Sequence, residues 1–272
     1  MITADDFGLS HEVNEAIVRA HRDGVLTAAS LMVSGAAAEE AVAIARKMPS
    51  LRVGLHLVLI EGRATSRPQQ IPDLVGPDGH LRRDMVRVAF DLARQPDMRR
   101  QLKREIAAQF AAFDRTGLPL DHVNAHKHFH MHPIIATQVI AVGHQFGMRA
   151  LRVPREPGHV MAPGCALLAA QARRAGLVIP DSVLGLRHTG RMTRDRMLSA
   201  LEKAPPGLVE IYTHPATGDR FEGSARGYRY RDELAALTDP AVVRALRATR
   251  RSSGGYADAQ RLPLSAANSR RA

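Results

Sequence analysis

Short apolar runs alternate along this chain with longer segments whose apolar residues recur every three to four positions. The runs at 2–4, 25–33, 51–59, 120–124, 149–153, 177–179 and 207–212 predict buried strands, and the periodic segments between them predict helices. The first unit is the clearest: Ser10 caps a helix carrying Val13, Ile17, Val18 and His21, and Gly24 ends it. Further helices are predicted over 37–47, 97–116, 133–146, 163–175, 194–203 and 240–250, with Leu102, Ile106, Phe110 and Phe113 on one stripe of the second of these. Residues 61–84, rich in Pro, Gly and Asp, read as a long excursion. Six or seven strands alternating with helices imply an α/β fold with mostly parallel strands and right-handed crossovers. Residues able to do chemistry fall just after strands, which favours a barrel, whose βα loops gather at one mouth. The 272 residues suit one such domain, since α/β barrels run to roughly 250 residues.

Charge changes this picture at one end. The chain carries 38 Lys plus Arg against 27 Asp plus Glu, a net charge of +11, and only 4 of the basic residues are Lys. From Arg244 to Ala272 seven Arg stand against the single acid Asp258. With Ser252, Ser253, Gly254, Gly255 and a closing run of small residues, 244–272 is expected to be a basic, disordered tail behind a barrel domain over 1–243. Aromatic residues make up 4% of the chain and Trp is absent, so the stacking surfaces of a nucleic-acid face are missing and no nucleic-acid partner is expected. The lone Cys165 excludes a disulfide framework and a Cys-based zinc module. No apolar run approaches the roughly 20 residues of a membrane span, and no apolar leader precedes Asp5, so a cytoplasmic location is expected.

Four segments carry candidate chemistry. In Thr3-Ala4-Asp5-Asp6-Phe7-Gly8 two carboxylates are adjacent where a strand meets a loop. Neighbours in a regular strand face opposite ways, so the pair converges only if the strand breaks, and otherwise either Asp could cap a helix. Gly54-Leu55-His56-Leu57 places a histidine inside an apolar strand, where a lone His is ordinarily a satisfied core residue. Residues 121–133 hold His122, His126, His128, His130 and His132, five of the 13 histidines, and such clusters are a metal-binding signature. If that segment is extended, His126, His128, His130 and His132 project to one side. Finally, Pro215 stops a strand just after His214 in Glu210-Ile211-Tyr212-Thr213-His214-Pro215. Non-catalytic metal storage is the competing use of the cluster, although storage has no need of Asp5 and His214.

Taken together, over roughly residues 2–222, these segments resemble the YdjC-type carbohydrate deacetylase family. Ala28, Ser30, Leu31 and Met32, the run Asn124-Ala125-His126-Lys127-His128-Phe129-His130, and Arg152-Val153-Pro154 are most similar to its hopanoid biosynthesis-associated branch. The resemblance implies a distorted (β/α) TIM-like barrel that hydrolyses an N-acetyl group from an amino sugar with one divalent metal ion, zinc or magnesium. It implies Asp6, His56 and His126 as metal ligands, Asp5 as general base and His214 as general acid, with His128 and His130 facing substrate. Two positions depart from the family pattern: Lys127 stands where a His is usual, and Asn124 replaces a common Asp. The branch points to an N-acetylglucosaminyl hopanoid as substrate, with soluble chito-oligosaccharides or other N-acetylated amino sugars as the alternative. Stretches 85–92 and 161–170 are apolar enough to line a lipid-facing entrance, and the positive charge suits peripheral contact with an anionic inner membrane.

Overall fold

The computed structural model describes residues 1–158 and 162–259. Six parallel strands form one curled sheet: β1 (Ile2–Phe7), β2 (Ala28–Leu31), β3 (Arg52–Leu57), then, past the two short strands β4 (Gly62–Arg63) and β5 (His80–Leu81), β6 (Val123–Ala125), β7 (Ser182–Leu184) and β8 (Val209–Thr213). The order across the sheet is β6-β3-β2-β1-β8-β7, so β1 lies at its centre, and β4 and β5 pair antiparallel as a separate hairpin. The expected strands at 149–153 and 177–179 reduce to single bridges, Val123 with Leu151 and Ala150 with Val178. Their backbone bonds carry the curl onward from β6: Val123 N–H donates to the Ala150 carbonyl at 3.0 Å and Leu151 N–H to that of Val178 at 3.0 Å. The result is the distorted, TIM-like α/β barrel expected. Strand β7, three residues long, has no apolar run that the sequence pattern could register.

The helices are α1 (His11–Asp23), α2 (Ala38–Lys47), α3 (Met85–Arg94), α4 (Pro96–Asp114), α5 (Pro133–Gln145), α6 (Ala162–Arg174), α7 (Arg194–Glu202), α8 (Tyr230–Thr238), α9 (Pro240–Ala248) and α10 (Tyr256–Ala259). Ser10 Oγ accepts from Val13 N–H at 3.4 Å at the start of α1, and Val13 and Ile17 are buried in the core. The predicted stripe of α4 is buried in full, and the same face carries Glu105, whose carboxylate accepts the backbone N–H groups of Thr65 and Ser66 at 2.8 Å each. The long excursion is thus tied to the barrel through a buried carboxylate.

The segment expected to be a tail is ordered beyond Arg244. Helix α9 runs to Ala248, and α10 docks beneath the sheet with Tyr256 fully buried. Two hydrogen bonds from Arg52 to Asp258, 2.9 and 2.7 Å, hold it there. The last stretch, 260–272, lies outside the described residues.

Candidate active site

The two aspartates converge because β1 bulges. Its register with β2 pairs Ala4 with Ala29 and Phe7 with Leu31, so Asp5 and Asp6 together stand opposite Ser30 alone. Asp6 adopts φ 64, a left-handed conformation costing a non-glycine residue on the order of 1–2 kcal/mol, and both carboxylates line one cavity. Gly8 follows at φ 90, where a Cβ would stand 3.1 Å from the Ala38 Cα.

Asp6 meets two histidines. Its Oδ1 lies 3.3 Å from His56 Nε2 and 3.4 Å from His126 Nδ1, and one ligand atom from each residue lies within 4.8 Å of the others. His56 stands opposite Asn124 in the β3–β6 register, and its Nδ1–H donates to Asn124 Oδ1 at 2.6 Å. That bond turns Nε2 toward Asp6. Asp6 Oδ1 and His56 Nε2 are buried without a hydrogen-bond partner, an arrangement that a cation between them would satisfy. One carboxylate and two imidazoles are a donor set suited to zinc and leave open positions for water and substrate. Burial opposes ionisation of Asp6, but His126 and His56 outweigh it and hold its carboxyl well below the usual carboxylate range. Burial likewise works against the His56 imidazolium, but Asp5 and Asp6 raise its pKa above the ordinary value, so protons compete for the ligand site. Asp6→Ala should therefore weaken zinc affinity by more than the ~10–100-fold that loss of an outer partner costs. Wild-type affinity should decline as pH falls through the raised value of His56, and calorimetric zinc titration at several pH values checks both expectations.

Asp5 faces a different set of partners. Arg152 donates from Nη1 to Oδ2 at 2.5 Å and from Nη2 to Oδ1 at 2.9 Å, and Oδ1 also accepts from Ser30 Oγ at 2.7 Å and Asn124 Nδ2 at 3.0 Å. Burial would raise its pKa, but the Arg152 charge overrides it, so the group stays ionised far below the ordinary range. Oδ1 is saturated, whereas Oδ2 carries one bond and keeps one lone pair for a proton.

The histidine run does not extend along one side. It forms a short 3₁₀ turn, His126–Met131, in which Lys127 and His128 are left-handed at φ 53 and 54, so the side chains fan apart. His126 reaches Asp6. His128 lines the cavity, edge-on to Tyr212 at 5.3 Å, and burial pushes its pKa well down, leaving a neutral ring. His130, expected to face substrate, instead donates from Nε2 to the Arg152 carbonyl at 2.8 Å and lies outside the cavity lining. Burial lowers its pKa to about 4. Lys127 pairs with Glu61, and both line the cavity.

His214 follows β8 directly and lines the same cavity. Its backbone N–H donates to Glu233 Oε2 at 2.5 Å, its ring meets Tyr212 at 5.4 Å and Tyr228 at 5.2 Å, and its buried Nδ1 has no partner. The cavity is about 330 Å³ and is lined by Asp5, Asp6, His56, His126 and His214 together with Tyr212, Tyr228 and Tyr230. A larger cavity, about 600 Å³, lies among Ile2, Leu201, Leu208 and Gly254, and among the described residues Asp258 is the only carboxylate in its lining and no histidine reaches it.

Sequence reasoning passed over Arg152 and Glu210 as site residues. The available signal was a charge inside each of two apolar strands, at Leu151-Arg152-Val153 and Val209-Glu210-Ile211. Three of the four tyrosines gather at this one cavity.

A carbohydrate deacetylase of Brevibacillus brevis is 35% identical, over 88% of this chain and 90% of its own length. Another from Geobacillus stearothermophilus is 32% identical, over 89% and 90%. The crystal structure of an Enterococcus faecalis protein, named as a candidate for cellobiose-phosphate cleavage, superposes with a TM-score of 0.80 at 23% identity, covering 95% of this chain and 97% of that one. This last likeness establishes the shared fold. The signature of the YdjC-like protein family matches residues 1–248, and the chain belongs to that family.

Proposed function

We propose that this carbohydrate deacetylase removes the N-acetyl group from an amino sugar borne on a hopanoid lipid, with one divalent ion held by Asp6, His56 and His126. The observation that carries the reaction is that Asp5 and His214 line one cavity together with the candidate metal trio. When bound, the ion supplies a Lewis acid and a water of lowered pKa, and zinc is the ion this donor set favours. Asp5 Oδ2 takes the proton of the attacking water while Arg152, Ser30 and Asn124 hold its carboxylate in place. His214 then gives a proton to the departing nitrogen, which amide cleavage requires because an amide anion is a very poor leaving group. His128, neutral and in the cavity wall, offers the sugar a hydrogen-bonding edge.

A cavity of about 330 Å³ fits one sugar ring better than a long polysaccharide. The lipid rests on the likeness of the Ser30, Asn124 to His130 and Arg152 segments to the hopanoid-associated branch. Helix α3 adds support: Val86 is 81% and Phe90 55% exposed, next to the exposed Arg83 and Arg87, while Val88 and Leu92 face the core. This face suits shallow contact with an anionic bilayer. No helix among the described residues is long and apolar enough to cross a membrane. A soluble chito-oligosaccharide is the second reading, favoured by the tyrosines that could stack on sugar faces. Incubation with N-acetylglucosaminyl hopanoid in anionic vesicles should release acetate, chelator should stop it, and the protein should co-sediment with the vesicles. Rapid turnover of chito-oligosaccharides with an untouched glycolipid would overturn the lipid assignment.

A further inference from the structure

Arg152 is fully buried and serves two carboxylates at once. One side of its guanidinium holds Asp5, and the other donates from Nε to Glu210 Oε2 at 3.0 Å and from Nη2 to Glu210 Oε1 at 2.6 Å. One cation between two buried anions leaves an excess of negative charge, and whichever carboxylate is less well satisfied draws the fork toward itself. Glu210 is satisfied from below, where Tyr256 Oη donates to its Oε2 at 2.6 Å.

Tyr256 belongs to the C-terminal segment, beyond the part of the chain that matches the family signature. The segment is built to deliver it. Tyr256 and Ala257 N–H groups donate to the Asp121 carboxylate at 3.1 and 3.0 Å, Thr27 Oγ1 donates to the Gly254 carbonyl at 2.8 Å, and the phenol ring lies 5.0 Å from that of His122. A Cβ on Gly255 would stand 2.4 Å from Asp121 Oδ1, so only glycine lets the backbone pass this close beneath β6.

We propose that Tyr256 is a positioning residue for the reaction: by bonding Glu210 it leaves Arg152 free to hold the Asp5 carboxylate in the orientation that accepts a proton. The inference rests on the reading of Asp5 as the base. Tyr256→Phe keeps the ring and removes only the hydroxyl, so in the full chain kcat should fall about tenfold with KM within twofold of wild type, the loss of a roughly 1.4 kcal/mol orientation term. Zinc content should be unchanged. Asp258→Asn loosens the same segment at the Arg52 contact while the Asp121 bonds to the Tyr256 and Ala257 N–H groups keep the phenol in place, and should lower the melting temperature while leaving kcat intact. The ¹⁵N signals of the Arg152 guanidinium give a readout independent of turnover and should move in Tyr256→Phe and stay in Asp258→Asn. Unmoved signals in Tyr256→Phe, an unchanged kcat there, or equal kcat losses in both variants would reduce the segment to a structural clip and overturn the proposal. A wild type inert toward every acetylated amino sugar, with the signals moving as described, would sink the proposed reaction and leave the relay standing.

Discussion

Asp5→Asn should lower kcat by roughly a hundredfold to ten-thousandfold, the span that general-base catalysis contributes, while zinc stays near one ion per chain. Two carboxylates stand side by side in the sequence, and the bulge in β1 gives them separate duties. Asp6 Oδ1 faces His56 and His126, whereas Asp5 faces Arg152, Ser30 and Asn124 and makes no hydrogen bond with a histidine among the described residues. An asparagine at position 5 keeps the size of the side chain and an oxygen for Ser30, but it cannot accept a proton at the pH of the reaction. It also loses the charge that Arg152 neutralises, so some stability goes with the activity. The comparison that decides the matter is zinc content against turnover in the same preparation. If the variant loses its zinc, Asp5 is a ligand and its assignment as base fails.

Arg152→Met should destabilise the fold by about 3–5 kcal/mol, because removing one partner of a buried ion pair leaves uncompensated charge behind. Here two buried carboxylates, Asp5 and Glu210, lose their shared cation. The variant should also reverse the response to pH. In the wild type, burial opposes the ionised form of both groups, yet Arg152 holds both pKa values below their ordinary range. A depressed folded-state pKa gives stability that is present above the unfolded value near 4 and lost as pH falls below it. Without Arg152, burial is opposed only by the lesser partners, His56 and His214 at Asp5 and His122 and Tyr256 at Glu210, and both pKa values rise. Stability is then greatest below about pH 4 and declines as pH rises through the raised values. Chemical denaturation at a series of pH values from about 3 to 8 should give opposite slopes for the two proteins. Parallel slopes would mean that Arg152 does not control these carboxylates.

The histidine run shows where local reasoning stops. Its composition announced a site, but an extended segment would have lined up His126, His128, His130 and His132. The left-handed turns at Lys127 and His128 instead send one imidazole to Asp6, one to the cavity wall and one to the backbone of Arg152. Left-handed conformation at Lys127 and His128 is not announced by residue type in the way a glycine announces it. Gly54 shows the opposite case. Its place beside His56 was visible, but its reason is a Cβ that would stand 2.6 Å from His122, a neighbour 68 positions away.

By itself the sequence determined the alternation of strands and helices, the stripe of α4, the cap at Ser10 and the residue types gathered after strands. These follow from local periodicity and from side-chain chemistry that needs no partner to be recognised. Only the tertiary structure decided that Asp5 belongs to Arg152 and Asp6 to His56 and His126, that His130 bonds the Arg152 carbonyl outside the cavity lining, and that Tyr256 is core. Those assignments depend on contacts such as Asp5 to Arg152, 147 positions apart, and Tyr256 to Glu210, 46 apart, which exist only once the sheet has curled and the C-terminal segment has docked beneath it.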